Sequence, residues 1–150
     1  MAYILIADDD PDVRALVRVA LTRTDHVLME SADGHETIAK ILDMPPDLLV
    51  LDLMMPGADG FDVLEAMVEA GVRMATKVLV LTAKAGESDR ATGLSLGADR
   101  YVTKPFDPVE LASAIEELLD SSGEEIAQQR DEELERANLL SQLESLLGAE

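Results

Sequence analysis

Short apolar runs alternate with longer amphipathic stretches along the whole chain. Tyr3 to Ala7 is an apolar run. Asp10 then Pro11 opens a helix, with an N-cap candidate followed by proline at the first helical position. Val13, Leu16, Val17, Ala20 and Leu21 keep helical spacing, which predicts a helix to about Arg23. His26 to Glu30 predicts a second, edge-like strand. Gly34 to Leu42 predicts a short helix with Ile38, Ile41 and Leu42 inward, stopped by Pro45 and Pro46. Asp47 to Leu51 is the third strand, with Leu48 to Leu51 wholly apolar, as in a strand buried on both faces. Gly57 to Gly60 is a loop, and Phe61, Leu64 and Val68 mark a helix ending near Gly71. Lys77 to Leu81 is a fourth strand ending in Thr82. Glu87 to Leu96 is a weaker helix, interrupted by Gly93 and closed by Gly97. Asp99 to Thr103 is a fifth strand, and Asp107 or Pro108 opens a helix with Leu111, Ala114, Ile115 and Leu118 on one face.

Strand and helix thus alternate five times. That order implies an α/β fold: a parallel sheet with helices on both faces and right-handed crossovers. Beyond Leu119 the pattern changes. Ser121, Ser122 and Gly123 are a break signal, and Asp120 to Glu150 carries nine acidic and two basic residues. Leu139, Leu140, Leu143, Leu146 and Leu147 recur there at helical spacing, a stripe that wants a partner surface. Gln129, Glu133 and Arg136 interrupt any upstream heptad, so a long coiled coil is not supported. The expected division is a domain over 1–119 and an acidic helical extension over 120–150. The extension is either a solvated tail or a signalling helix continuous with the last domain helix.

Composition narrows the class. With 47% hydrophobic and only 3% aromatic residues, the core must be aliphatic. The seven Met residues read mainly as core filler. Without cysteine there is neither a disulfide scaffold nor a thiolate metal site. No run approaches the roughly 18 apolar residues of a membrane span, and Met1, Ala2 and Tyr3 lack a signal peptide's basic region. A cytoplasmic protein is expected. The net charge of −19 opposes binding to a phosphate backbone and favours cations.

Candidate chemistry gathers at the carboxyl ends of the strands, where open α/β sheets place it. Asp8 and Asp9 follow the first strand, Asp52 the third, Thr82 the fourth and Lys104 the fifth. In a parallel sheet these ends share one edge. Three neighbouring carboxylates repel one another and need a positive partner. A hard divalent cation with oxygen ligands would serve, and so would the Lys104 ammonium. Asp10 reads as a helix cap only, and Asp59 with Gly60 as the cap of the following helix. His26 and His35, away from this edge, read as surface residues.

Asp8-Asp9, Asp52 with Met55-Pro56 and Asp59-Gly60, Leu81-Thr82-Ala83, Gly97-Ala98-Asp99, and Lys104-Pro105-Phe106 resemble, in order and interval, the receiver domain of two-component response regulators, the CheY-like family. The resemblance spans about Tyr3 to Leu119. It implies a doubly wound, flavodoxin-like, five-stranded parallel sheet of order 2-1-3-4-5, and a phosphoprotein that switches on phosphorylation without being an enzyme acting on other substrates. Asp52 matches the phosphoacceptor, charged from a sensor histidine kinase or phosphotransfer protein. Asp9, Asp52 and the backbone carbonyl of Met54 match the Mg²⁺ ligands, with Asp8 acting through water. Thr82, Lys104 and Tyr101 match the phosphoryl-binding and switch residues. Met54 and Lys84 match positions that tune phosphoryl lifetime, and an apolar Met54 implies slow self-dephosphorylation. The family's switching surface corresponds to Glu87–Leu96, Asp99–Thr103 and the last helix. It would act on a downstream protein target or output domain, with no DNA binding by this chain and with a homodimer through the last helix and tail left open. Thr92, Arg100 and Ala114 depart from the charge pattern by which many transcription-factor receivers dimerise. Two other readings compete: a hydrolase or phosphatase forming an aspartyl phosphate on a small substrate, and a structural pseudo-receiver. Such hydrolases typically carry a second Asp where Met54 stands, and the intact set Asp8, Asp9, Asp52, Thr82 and Lys104 argues against the pseudo-receiver.

Overall fold

The computed structural model describes residues 1–84 and 86–148, so the last two residues of the expected extension lie outside the described residues. The element order is β1 (Tyr3–Ala7), α1 (Pro11–Ala20), β2 (Val27–Ser31), α2 (Gly34–Asp43), β3 (Leu48–Leu51), α3 (Gly60–Glu69), a 3-10 turn (Arg73–Ala75), β4 (Lys77–Thr82), α4 (Glu87–Ser95), β5 (Arg100–Thr103), α5 (Pro108–Asp120) and α6 (Gly123–Leu146). All five strands are parallel, in the order β2-β1-β3-β4-β5.

The two-residue period of the strands divides the core. Ile4, Ile6, Leu48, Val50, Leu79 and Leu81 face one side, against Val17 and Leu21 from α1 and its C-terminal turn and Leu111, Ile115 and Leu118 of α5. Leu5, Leu49, Leu51, Val78 and Val80 face the other, against Ile41 of α2, Val63, Leu64 and Met67 of α3, and Tyr101. β3 is buried along its whole length, because strands cover both edges and helices both faces. β2 is an edge strand, and its Val27 and Met29 remain exposed.

The helix starts follow their caps. Asp10 accepts from the Asp12 amide with Pro11 at the first turn, Asp33 accepts from the Glu36 amide, and Asp59 forms a reciprocal capping box with Asp62. Asp107 caps α5, with Pro108 next.

Several expectations are corrected. α1 stops at Ala20 rather than Arg23. Of the expected inward residues of α2, Ile41 is buried and Ile38 partly buried, but Leu42 is exposed; Thr37 is buried beside them. In α3 Leu64 is buried and Phe61 partly buried as expected, but Val68 is exposed and Met67, with Val63, faces inward in its place. His26 is no surface residue. Its side chain is 8% exposed, with Nε2 2.6 Å from Glu116 Oε1 and Nδ1 accepting from the Ala2 amide at 2.9 Å.

The largest difference lies at the C-terminus. The last two helices are not continuous: α5 ends where Ser121 takes an extended conformation, and Ser122, also extended, caps α6 by accepting from the Glu125 amide. After this break α6 packs along α4. It buries Ile126 and Ala137. Arg90 of α4 reaches Glu133 at 3.0 Å, and Arg130 reaches Asp99 at 3.3 Å. The docked face therefore contains one of the residues that interrupt the heptad, Glu133. The leucine stripe is mostly outside it: Leu139, Leu143, Leu146 and Leu147 are exposed. A 24-residue helix is ~36 Å long, far longer than α4, so its C-terminal end overhangs.

Candidate functional site

The loops after β1, β3, β4 and β5 hold the candidate residues, and main-chain bonds carry the ladder one step past the strands. The Asp8 amide donates to Ser31 O at 3.1 Å, the Asp52 amide to Ala7 O at 3.0 Å and the Lys104 amide to Thr82 O at 2.8 Å. This register places Asp8 beside Asp52. Carboxylate oxygens of Asp8, Asp9 and Asp52 lie within 4.8 Å of one another. Asp8 and Asp52 are buried, while Asp9 faces solvent.

Lys104 joins the two buried carboxylates. Its Nζ donates to Asp8 Oδ2 at 2.7 Å and to Asp52 Oδ2 at 3.0 Å. The other oxygens are also engaged: Asp8 Oδ1 accepts from the Asp10 amide at 2.9 Å, and Asp52 Oδ1 from the Met54 amide at 3.0 Å. Burial raises the Asp8 carboxyl above its ordinary range and the charge of Asp52 adds to this, while the Lys104 and Asp10 bonds oppose it. Burial works against the Lys104 charge, but its bonds to Asp8 and Asp52 outweigh burial and raise its pKa. One ammonium facing three carboxylates leaves a net negative pocket. All-oxygen donors in a negative pocket fit a hard divalent cation of the Mg²⁺ kind.

Thr82 is fully buried, and its Oγ1 accepts from the Lys84 amide at 3.3 Å. Tyr101, on β5, is buried with its ring facing Gly93 of α4 and donates its hydroxyl to Lys84 O. Burial first, and the Asp89 charge second, push the Tyr101 phenol up to about 12. The Arg90 guanidinium stands over its ring, 5.1 Å from the centroid. Thr82 and Tyr101 are thus linked through the Lys84 backbone. The Lys84 ammonium is not drawn to the carboxylate cluster; it lies 3.8 Å from Asp89 Oδ1. The Met54 side chain is 52% exposed at the rim.

Three residues have roles at the site that the sequence does not disclose. A Cβ at Gly60 would stand 2.6 Å from Asp52 O and from Leu53 Cα, so only glycine lets α3 start against the Asp52 loop. At Gly93 a Cβ would lie 3.2 Å from the Tyr101 ring. Gly93 is visible as a helix interruption, but nothing local shows that an aromatic ring lies opposite. Arg90 shows locally only an i,i+3 partner, Glu87 at 4.0 Å; its contacts with Tyr101 of β5 and Glu133 of α6 leave no local signal.

A doubly wound sheet with an acidic, lysine-bridged pocket at its carboxyl edge is the architecture of a CheY-like switch domain. Residues 4–116 match the response regulator receiver domain family, and the chain belongs to it. It is 41% identical over 116 residues to the transcriptional regulatory protein ResD of Bacillus subtilis, covering 77% of this chain and 47% of ResD. It is 42% identical over 119 residues to the transcriptional regulatory protein TrcR of Mycobacterium tuberculosis, covering 79% of this chain and 46% of TrcR. The chain thus spans about half the length of the curated relatives it matches. Among solved structures, the BeF3-activated DrrB receiver domain superposes with a TM-score of 0.73 at 27% identity, covering 81% of this chain and 99% of that one. A CheY-like receiver from Methanospirillum hungatei gives 0.73 at 28% identity, covering 86% and 98%. The chain is a two-component receiver domain, and no helix among its described residues is long and apolar enough to cross a membrane.

Proposed function

We propose that Asp52 is the phosphoacceptor of a cytoplasmic response regulator, charged by a sensor histidine kinase or a phosphotransfer protein. A carboxylate oxygen of Asp52 attacks phosphorus, the P–N bond to the donor histidine breaks, and an acyl phosphate remains on Asp52. The observation that carries this reading is the Lys104 bridge: one ammonium holds Asp52 and Asp8 together in a buried, net negative pocket. Such transfers need positioning and charge neutralisation more than covalent help. Asp9, Asp52 and the Met54 carbonyl would hold Mg²⁺, with Asp8 acting through water. When bound, the ion neutralises charge on the phosphoryl oxygens. Lys104 would turn from the carboxylates to a phosphoryl oxygen, as a point charge on a flexible stem can. Thr82 would donate its hydroxyl to another.

Residues 1–119 would form the receiver unit and 120–150 its extension. The chain would do no chemistry beyond its own phosphoryl transfer and loss. Loss should be slow, because the apolar Met54 at the rim cannot orient an attacking water. The output would be a protein target or an output domain. α6 lies on its own chain, which leaves its exposed leucines as the surface open to a second copy.

The test is incubation with Mg²⁺ and acetyl phosphate, reading mass. One phosphoryl increment is expected in the parent and none in Asp52→Asn. No increment in the parent, or the same increment in the variant, would sink the assignment. Half-lives of seconds would sink the slow-loss reading alone.

A further inference from the structure

We propose that α6 is an intramolecular occupant of the α4–β5 face, and that loading of Asp52 releases it. The proposal rests on the reading of Asp52 as the acceptor.

A chain of direct contacts joins the site to α6. Thr82 Oγ1 accepts from the Lys84 amide at 3.3 Å. The Lys84 carbonyl accepts the Tyr101 hydroxyl. The Tyr101 ring carries the Arg90 guanidinium at 5.1 Å, and Arg90 Nη1 lies 3.0 Å from Glu133 Oε1 on α6. No link crosses solvent, and each involves a group that the next one needs. A second clasp, Arg130 to Asp99, grips a fixed point. Asp99 is pinned by the Val78 amide at 2.8 Å and by Arg73 at 2.9 Å. The face beneath α6 is thin in apolar contact, since the helix fully buries only Ile126 and Ala137. The end of α6 near Ile126 and Arg130 is anchored, by a core contact and a buried carboxylate, whereas its Arg90–Glu133 clasp is partly exposed on both sides and is the part poised to open.

The weakest link sets the direction. A phosphoryl oxygen on Asp52 would accept the Thr82 O–H, which the Lys84 bond does not use, but turning the hydroxyl towards Asp52 shifts Oγ1 and stretches a Lys84 amide bond that is already 3.3 Å long. Once Thr82 turns to the acceptor, the Lys84 backbone is freed, Tyr101 loses the oxygen that orients it, and Arg90 loses its platform. Glu133 then loses its cation. The vacated face would take a partner helix of α6's own pattern, with a carboxylate opposite Arg90 and small or aliphatic residues along α4. α6 therefore acts as a competitor held in cis. Coupling of this kind is reciprocal: whatever loading does to α6, α6 does to loading.

Hydrogen exchange of the full chain tests this, with beryllofluoride and Mg²⁺ as the phosphoryl mimic and loading read separately by the fluorine resonance of the bound mimic. On loading, α6 amides should exchange at least about fivefold faster, while α5 amides keep their rates. If the bound resonance is present and α6 is unchanged, or if α5 loosens equally, the proposal is overturned and the acceptor reading stands. If neither the mimic nor acetyl phosphate loads Asp52, both fall. In a reciprocal arm, Glu133→Gln weakens only the clasp, and beryllofluoride affinity should rise severalfold. Unchanged affinity would overturn the coupling.

Discussion

The last two helices make an instructive pair, because they follow one another in sequence and differ in almost everything that matters for stability. α5 has 13 residues and buries four, Leu111, Ala114, Ile115 and Leu118, against the sheet. α6 has 24 residues and fully buries two. The shorter helix faces a broad aliphatic surface formed by β1, β3 and β4. The longer one faces α4, a nine-residue helix whose inward residues are Ala91, Gly93 and Leu94. Length therefore says little about how firmly a helix is held. The apolar area it covers says more.

The bluntest way to break this comparison is to cut a side chain from each helix. Ile115→Ala removes atoms from a fully buried site and should cost roughly 2–5 kcal/mol, read as a lower urea midpoint. Leu140→Ala, on the partly exposed side of α6, should cost less than about 1 kcal/mol. Equal costs would show that α6 is as integral as α5.

Mg²⁺ offers a second contrast, because it should stabilise the receiver body through the acidic pocket without touching α6. At a concentration of about 100 times Kd it should add ~2.7 kcal/mol, and chelation should remove it. Asp8→Asn separates pocket strain from metal binding. The Asp8 pKa is raised in the folded protein. Its contribution to stability is therefore fully present only below its unfolded pKa and is lost as pH rises through the folded one. At neutral pH the ionised, desolvated Asp8 is a cost. Without metal, Asp8→Asn should melt higher than the parent at pH 7, with the gap closing as pH falls towards 4. With Mg²⁺ the order should shrink or reverse. A lower melting point without metal would show that the Lys104 bridge outweighs burial.

The same contrast explains what the sequence could and could not disclose. The five strands and the convergence of Asp8, Asp52, Thr82 and Lys104 are legible because each strand is a short apolar run that ends at a polar residue, whereas the strand order follows only from the resemblance to receiver domains. The periodicity is local, and the parallel topology turns it into one edge. α6 was legible as a helix but not as a docked one. Its docked face, Ile126, Arg130, Glu133 and Ala137, contains two charges, so apolar spacing points instead to the leucine stripe, which is mostly exposed. Those charges are satisfied by Arg90 and Asp99, more than 30 residues upstream. Pairing over that separation leaves no periodic trace. His26 was misread for the same reason, since its partner Glu116 lies 90 residues away.

The Arg90–Glu133 pair is the finest test of the difference between the two helices. Its side chains are 25% and 40% exposed, so solvent screens much of their attraction. A double-mutant cycle with Arg90→Ala, Glu133→Ala and the pair should return a coupling of about 0.2–1 kcal/mol in low salt, falling as salt rises. Arg90 also covers the Tyr101 ring, a contact that Glu133→Ala leaves in place. The single Arg90→Ala change should therefore cost more than Glu133→Ala, by about 0.5–1 kcal/mol for a cation over an aromatic face. Equal single costs would mean that Arg90 serves α6 alone and that Tyr101 does not feel it. A coupling near zero would leave α6 held by Ile126, Ala137 and the Arg130 clasp, with the ring and the helix independent of each other.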